Sequence, residues 1–424
     1  MPASSLSNVL FLAHRVPYPP DKGDRIRTFH LLRFLSQRAH VHLACLADEP
    51  VPEDTLRALK RYCERVAIVP VGGWSRWFRV CFSLVRGGTA SEGAFYVPEL
   101  WGVLCRWANE TRFDVSVASA SSIASYLRLE ELRGVPAVID LMDVDSQKWF
   151  DYAASRRGAR AWLYRTEGRR LRRLEQSISD WAHAVTLVGE AEVAIYRRFC
   201  PCGPVQAITN GVDLDYFQPT PPVGPASRRS EEPSCVFVGA LDYLPNVEGS
   251  LWFCRKVWPE VRRRRPEAKL YLVGRRPNPA VQRLAGLPGV ELVGQVPDVR
   301  PYLAGGALTV VPLQIARGVQ NKVLESLAMA RPTIASPQAL AGLNAQPGAH
   351  LLQASSPEEW LQTILALFDD PTLAQRLGEA GRRYAEEHHC WERCLQSFAP
   401  LLGLPAEPVL SRRQDAFHLL APIG

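Results

Sequence analysis

The stretch LTVVPLQIARGVQNKVLESLAMARPTIA, residues 308–335, decides how this chain is read. It opens on an apolar run, Leu308–Val311, and closes on another, Thr333–Ala335. Between them Val323, Leu324, Leu327 and Ala328 recur at helical spacing and form one buried face. Short apolar runs separated by a helix mean parallel strands covered on both faces. Lys322 and Glu325 are three apart, so both can project near the helix start. A lysine there can meet a diphosphate, and a glutamate can accept two ribose hydroxyls. The plainer alternative is a surface Lys–Glu pair on an ordinary helix.

The same alternation extends outward. Strands are expected at 235–238, 269–273 and 290–293, with helices near 246–258, 279–285, 298–303 and 320–330. Helices at 357–368, 371–379 and 380–398 follow. Upstream, strands are expected at 9–13, 41–46, 66–69, 115–118 and 137–141, with 184–188 as the last of that half. Helices are expected at 28–35 and 190–199. Residues 218–234 carry Pro219, Pro221, Pro222, Pro225 and Pro233 and almost no large apolar side chain, so they read as a linker. The resulting division is an N-terminal domain over 1–204, a linker over 205–234, a second domain over 235–400 whose last helices can cross back, and a tail over 401–424. Two domains suit 424 residues.

Composition narrows the function classes. Hydrophobic residues make up 47% and charged residues 22%, as in globular proteins. No run approaches the roughly 20 apolar residues of a spanning helix. The run at 9–13 is too short for a signal peptide, so a cytoplasmic location is expected. The net charge of +7 suits anionic partners. No zinc-finger, helix-turn-helix or RNA-sheet motif is present, so nucleic acid is not expected among them. Of ten cysteines, Cys45, Cys81, Cys235 and Cys254 sit in apolar runs and read as reduced core thiols. Neither Cys200 with Cys202 nor Cys390 with Cys394 has the second half of a zinc site, so no metal is expected.

Two loops draw attention. PYPPDKGDR, residues 17–25, lies between the first strand and its helix, where doubly wound sheets hold phosphates. Gly23 would let backbone approach an anion at a helix N-terminus. A loop that merely caps the helix is the alternative. TNGVDLDYFQP, residues 209–219, places Asn210 and Gly211 in a turn where the two halves meet, which makes them candidate site residues.

Taken together these segments resemble family 4 of the GT-B glycosyltransferases. The family's N-G-V-D-x-x-x-F-x-P segment is matched from Asn210 to Pro219. Its Val-Gly strand end is matched by FVG at 237–239, and its V-G-x-x-P by LVGRRP at 272–277. VGQVPD follows at 293–298, and the late K-x-x-E segment is KVLESLAMARPTI at 322–334. These motifs span nearly the whole second domain. DLMDVDSQKW at 140–149 and DYLPN at 242–246 resemble a subgroup associated with exopolysaccharide and PEP-CTERM/exosortase systems.

The resemblance implies an α/β fold of GT-B architecture, with two facing Rossmann-like domains, parallel sheets and an interdomain cleft. It implies a retaining, metal-independent transferase without a cofactor. The donor would be a nucleoside diphosphate sugar of UDP or GDP type, bound by the second domain. A saccharide or polyprenyl-linked acceptor would bind the first. Glu325 would hold the ribose and Lys322 the phosphates. Gly23, Asn210, Gly211, Gly239, Gly274, Arg275, Arg317 and Gly318 are the further donor-binding candidates, and Asp143 joins Lys322 and Glu325 as a catalytic candidate.

The chain also departs from the family. Arg317 stands where a second glutamate is common, and Ala240 and Asn246 where a basic pair is. Met142 or Asp143 takes the place of a common histidine. Arg317 can therefore take over phosphate or sugar binding. Asp143 and Asp145 are acceptor-side candidates, or solvated loop acids and helix caps. Two other stretches fit either an anionic membrane or a bland role. Residues 156–173 hold eight arginines and one glutamate. WSRWFRVCF at 74–82 mixes aromatic and basic side chains. A nucleotide-sugar epimerase or phosphorylase on the same fold is the alternative function.

Overall fold

The computed structural model describes residues 6–154, 156–219 and 232–410. The chain divides into two compact units. One runs up to Ile208 and is rejoined by the chain from Leu395; the other is Thr209–Cys394.

The first unit is built on seven strands: β1 (Asn8–Ala13), β2 (His40–Ala47), β3 (Arg65–Pro70), β4 (Val115–Ser119), β5 (Ala137–Met142), β6 (Ala184–Leu187) and β7 (Val205–Ala207). Their order is β3-β2-β1-β4-β5-β6-β7, and every pairing is parallel. β1 is central, with Val9 opposite both Val41 and Val115. Its residues Val9 to Leu12 are fully buried, as helices on both faces require. Strand order reverses between β1 and β4, which is where doubly wound sheets open a crevice beyond the strand ends.

The second unit repeats the plan with β8 (Ser234–Val238), β9 (Lys269–Val273), β10 (Val290–Gly294), β11 (Leu308–Val311), β12 (Thr333–Ala335) and β13 (Leu352–Gln353). Their order is β10-β9-β8-β11-β12-β13, again all parallel. Here the reversal falls between β8 and β11. Both units are thus Rossmann-like, as the alternation of runs and helices implies.

Several boundaries differ from expectation. The 184–188 strand is not the last of its half, because β7 adds an edge strand of three residues. Only Val205 of these is buried, so no apolar run betrays it. The helix expected at 28–35 begins at Gly23 and spans Gly23–Ser36. The helices expected at 371–379 and 380–398 are instead one helix, Pro371–His388, followed by two short ones, Trp391–Leu395 and Phe398–Leu401. Gly378 and Gly381 do not break it. A Cβ on Gly378 would stand 2.2 Å from Ala330 O, and one on Gly381 2.6 Å from Leu327 Cδ2, so these glycines let the helix press on its neighbour. Cys45, Cys235 and Cys254 are core thiols, but Cys81 is exposed, because its helix buries no residue. Of the expected linker and tail, residues 220–231 and 411–424 lie outside the described residues.

One buried ion pair organises the first unit. Arg27, on Gly23–Ser36, donates to both carboxylate oxygens of Asp140 on β5, at 2.8 and 2.9 Å. It also donates to Ile208 O at 2.9 Å, and its guanidinium lies 5.8 Å from the Phe398 ring. Thr186 Oγ1 on β6 completes the Asp140 shell at 2.8 Å. Every partner of this buried charge is in place, the condition under which such a pair is tolerated.

Candidate functional site

In the second unit the strand reversal is where the candidate side chains gather. The loop after β8 leads into the helix Leu244–Lys256, which carries Asn246. The loop after β11 leads into Asn321–Ala328, which carries Lys322 and Glu325. The two helices meet above the β8–β11 reversal: Lys322 Nζ donates to Asn246 Oδ1 at 2.6 Å. Asn246 is itself buried, and its Nδ2 donates to Ala240 O at 2.9 Å. The lysine is therefore held by a neutral acceptor, and among the described residues no carboxylate is in salt-bridge contact to spend its charge.

Burial pushes the Lys322 ammonium down to about 8, against the nearby Glu325 charge. Burial likewise pushes the Glu325 carboxyl up to about 7, against the nearby Lys322 charge. Both groups are costly to keep charged without a ligand, and an arriving diphosphate or pair of hydroxyls relieves that cost. Gly239 is what lets the lysine in. A Cβ there would lie 2.8 Å from Asn246 Nδ2 and 3.3 Å from Lys322 Cε. Phe237 lies under the ammonium, 5.7 Å from its ring centre.

The other candidates of this unit fall into two groups. Gly274 (φ 155°) sits beside Gly239, where a Cβ would stand 1.8 Å from Gly239 O. It fixes the approach of the β8 and β9 ends, and Arg275 O receives Leu241 N at 3.0 Å. Gly318 (φ 59°) takes a left-handed turn that side chains avoid. Gln320 Nε2 closes that loop on Arg317 O at 2.7 Å, and the Arg317 side chain is half-buried. Asn210 approaches the lysine helix, with Nδ2 3.4 Å from Asn321 Oδ1. Its carbonyl accepts His389 Nδ1 at 2.8 Å. Gly211 packs against Trp391, where a Cβ would be 2.7 Å from backbone. The Asn210–Gly211 turn thus anchors the end of the long Pro371–His388 helix as well as reaching the site.

In the first unit Gly23 is exposed at the start of its helix. The cations around it are already matched. Lys22 and Arg25 bond Glu49, and Arg25 also bonds Asp21. Arg15 bridges Asp24 and Asp48, both at 2.7 Å. Asp24 itself occupies the first helical turn, where an incoming anion would stand. Beside it lies a residue that sequence reasoning missed. His14, just past β1, contacts Ser119 O at 3.0 Å and Asp24 Oδ2 at 3.2 Å. It sits at the β1–β4 reversal, and only its place one residue beyond the first strand could have flagged it.

Asp143 lies past the end of β5, after Met142 in a left-handed conformation (φ 66°). Burial, with the Glu192 carboxylate next, pushes its carboxyl up to about 7, and Lys148 opposes the shift. Asp145 starts the helix Asp145–Ala154 and accepts Ser121 Oγ at 3.3 Å. Next to it a separate buried carboxyl, Glu175, receives Ser146 N at 2.9 Å, and burial holds it near 8.

Residues 232–370, within the second unit, match the family model described as glycosyl transferases group 1. No curated protein matches the sequence. Among solved structures, sucrose-phosphate synthase from Thermosynechococcus elongatus is 17% identical with a TM-score of 0.70, over 93% of this chain and 98% of that one. Anabaena HepE, solved in complex with UDP-glucose, is 14% identical with a TM-score of 0.66, over 93% and 99%. WaaG, a glycosyltransferase involved in lipopolysaccharide biosynthesis, is 14% identical with a TM-score of 0.64, over 93% and 100%. At these identities the likeness is one of fold, the two-unit GT-B arrangement of parallel sheets.

Proposed function

We propose that this chain is a glycosyltransferase that moves a sugar from a nucleoside diphosphate sugar, of UDP or GDP type, to a saccharide or polyprenyl-linked acceptor. The observation that carries the reading is the meeting of Lys322 and Asn246 above the β8–β11 reversal, with Glu325 one turn along. A lysine held by a neutral amide is poised for a diphosphate. Among the described residues no donor hydrogen-bonds the Glu325 carboxylate, which suits it to ribose hydroxyls. The matched family segment and the UDP-glucose complex of HepE support the same donor class.

Transfer needs stabilisation of the departing diphosphate more than it needs a strong base. Lys322 supplies that charge, and Arg317 adds to it in place of the family's acidic residue. Asp143, with a carboxyl held near 7, is the acceptor-side candidate for proton transfer. Retention of the anomeric configuration, independence of metal and a role in exopolysaccharide synthesis belong to the same proposal and rest on the sequence resemblance; a cytoplasmic location belongs to it too and rests on the shortness of the apolar run at 9–13.

The test is calorimetry with UDP, GDP and their sugars, followed by turnover with membranes as acceptor source. Free diphosphate and a product of unchanged anomeric form are expected. Donor affinity without any sugar transfer, or epimerised free sugar nucleotide as product, would overturn the reading.

A further inference from the structure

None of the twelve residues of helix Trp74–Val85 is buried. Trp74, Trp77, Phe78, Phe82 and Val85 are 86, 70, 75, 57 and 87% exposed. Five large apolar side chains open to water on one short helix mark a surface that meets something apolar. The charges around them say what. Residues 74–86 include Arg76, Arg79 and Arg86 and no Asp or Glu.

The helix Gly158–Trp181 is tied to the segment that follows. Arg170 Nη1 donates to Gly88 O at 3.1 Å, and Glu167 Oε1 accepts Ala90 N at 2.8 Å. This second helix exposes Trp162 and Leu163, with Arg160, Arg165 and Arg169 exposed around them. The one acidic residue of 156–173, Glu167, is buried against those amides, so it offers nothing outward. Over residues 74–86 and 156–173, therefore, indoles, phenyl rings and the guanidinium groups of Arg86, Arg160, Arg165 and Arg169 are exposed with no exposed carboxylate in either segment. A second copy of this chain would set the same arginines against each other. An anionic lipid surface answers both features: aromatic rings settle at headgroup depth, and arginines meet phosphates.

We propose that helix Trp74–Val85, with Trp162 and Leu163, docks the protein on an anionic lipid bilayer. The first turn of the same helix also borders a cavity of about 780 Å³, whose lining includes Asp48, Glu49, Trp74, Arg76 and Trp77. One consequence rests on the proposed function: if the first unit takes the acceptor, docking brings this cavity to the headgroup plane, where a lipid-anchored saccharide would stand.

The test is flotation of the full chain with vesicles of phosphatidylcholine, alone or mixed with phosphatidylglycerol. Partitioning is expected with mixed vesicles, and less with phosphatidylcholine alone or at high salt. The combined variant Phe78→Ser, Phe82→Ser, Val85→Ser should lower the partition coefficient at least about tenfold, while its nucleoside diphosphate affinity stays that of the parent and certifies the fold. Equal partitioning of variant and parent overturns the docking, as does equal binding to both vesicle types. So does self-association of the parent that the variant abolishes. The two readings fail separately. A chain that partitions but transfers no sugar keeps the docking and loses the transferase, and a chain that transfers sugar without partitioning does the reverse.

Discussion

At the scale of single residues, Lys322 and Glu325 make the sharpest claims. Lys322 is a cation below about 8 and Glu325 a carboxylate above about 7. On the proposed function nucleoside diphosphate binding needs both, so affinity should peak between these values, falling on the alkaline side as Lys322 loses its proton and on the acid side as Glu325 gains one. Calorimetry across pH checks this. Lys322→Ala should remove the alkaline limb and weaken UDP or GDP far more than the bare nucleoside. Glu325→Ala should weaken nucleoside and diphosphate alike by tenfold or more, since a charged hydrogen bond is worth roughly 1.5–3 kcal/mol. Flat affinity across pH would contradict both roles. Arg317→Glu restores the family's residue, and a carboxylate beside the diphosphate should repel it. Turnover should fall for every donor; a loss confined to uronic-acid donors would point to a sugar carboxylate as the partner of Arg317. Lys322 and Glu325 were legible from their spacing on one helix. Asn246 was visible only as a missing basic residue, because its contact with Lys322 spans seventy-six positions of sequence.

At the scale of elements, the placement of the lysine helix depends on the long helix packed against it. Gly378 and Gly381 let Pro371–His388 press on Leu327, Ala330 and Arg331, at and just past the end of Asn321–Ala328. Gly378→Ala should push the two apart, costing about 1–3 kcal/mol as overpacking does. Thermal denaturation reads the loss, and donor affinity should fall with it. Full stability in this variant would mean the contact relaxes freely. Sequence periodicity divides this helix at 379–380, next to Gly378 and Gly381, which are weak helix formers. The close approach that makes glycine necessary is a property of the neighbour, which local pattern does not carry. β7 and β13 escaped for a related reason: edge strands of three and two residues bury too little to show as apolar runs.

At the scale of the whole molecule, the chain leaves the first unit at Ile208 and returns to it at Leu395. Phe398 is fully buried there, beneath the Arg27 guanidinium. Phe398→Ala should destabilise that unit by roughly 3–5 kcal/mol. Hydrogen exchange should quicken in β1 to β7 while β8 to β13 keep their protection; uniform quickening would refute so local an effect. What the sequence by itself determined was the plan: two sets of parallel strands, because fully covered strands must be continuously apolar and their connecting helices amphipathic. It also placed Lys322 and Glu325 together, since helical spacing is local. Tertiary structure alone decided which charges are free and which are spent. The loop at 17–25 reads in sequence as a phosphate site, yet its cations Lys22 and Arg25, like Arg15 beside it, are matched by Asp21, Asp24, Asp48 and Glu49. Lys322, with fewer cations near it in sequence, leans on a neutral amide. Charge pairing is a property of distances between strand ends, and those distances exist only once the sheet has brought the ends together.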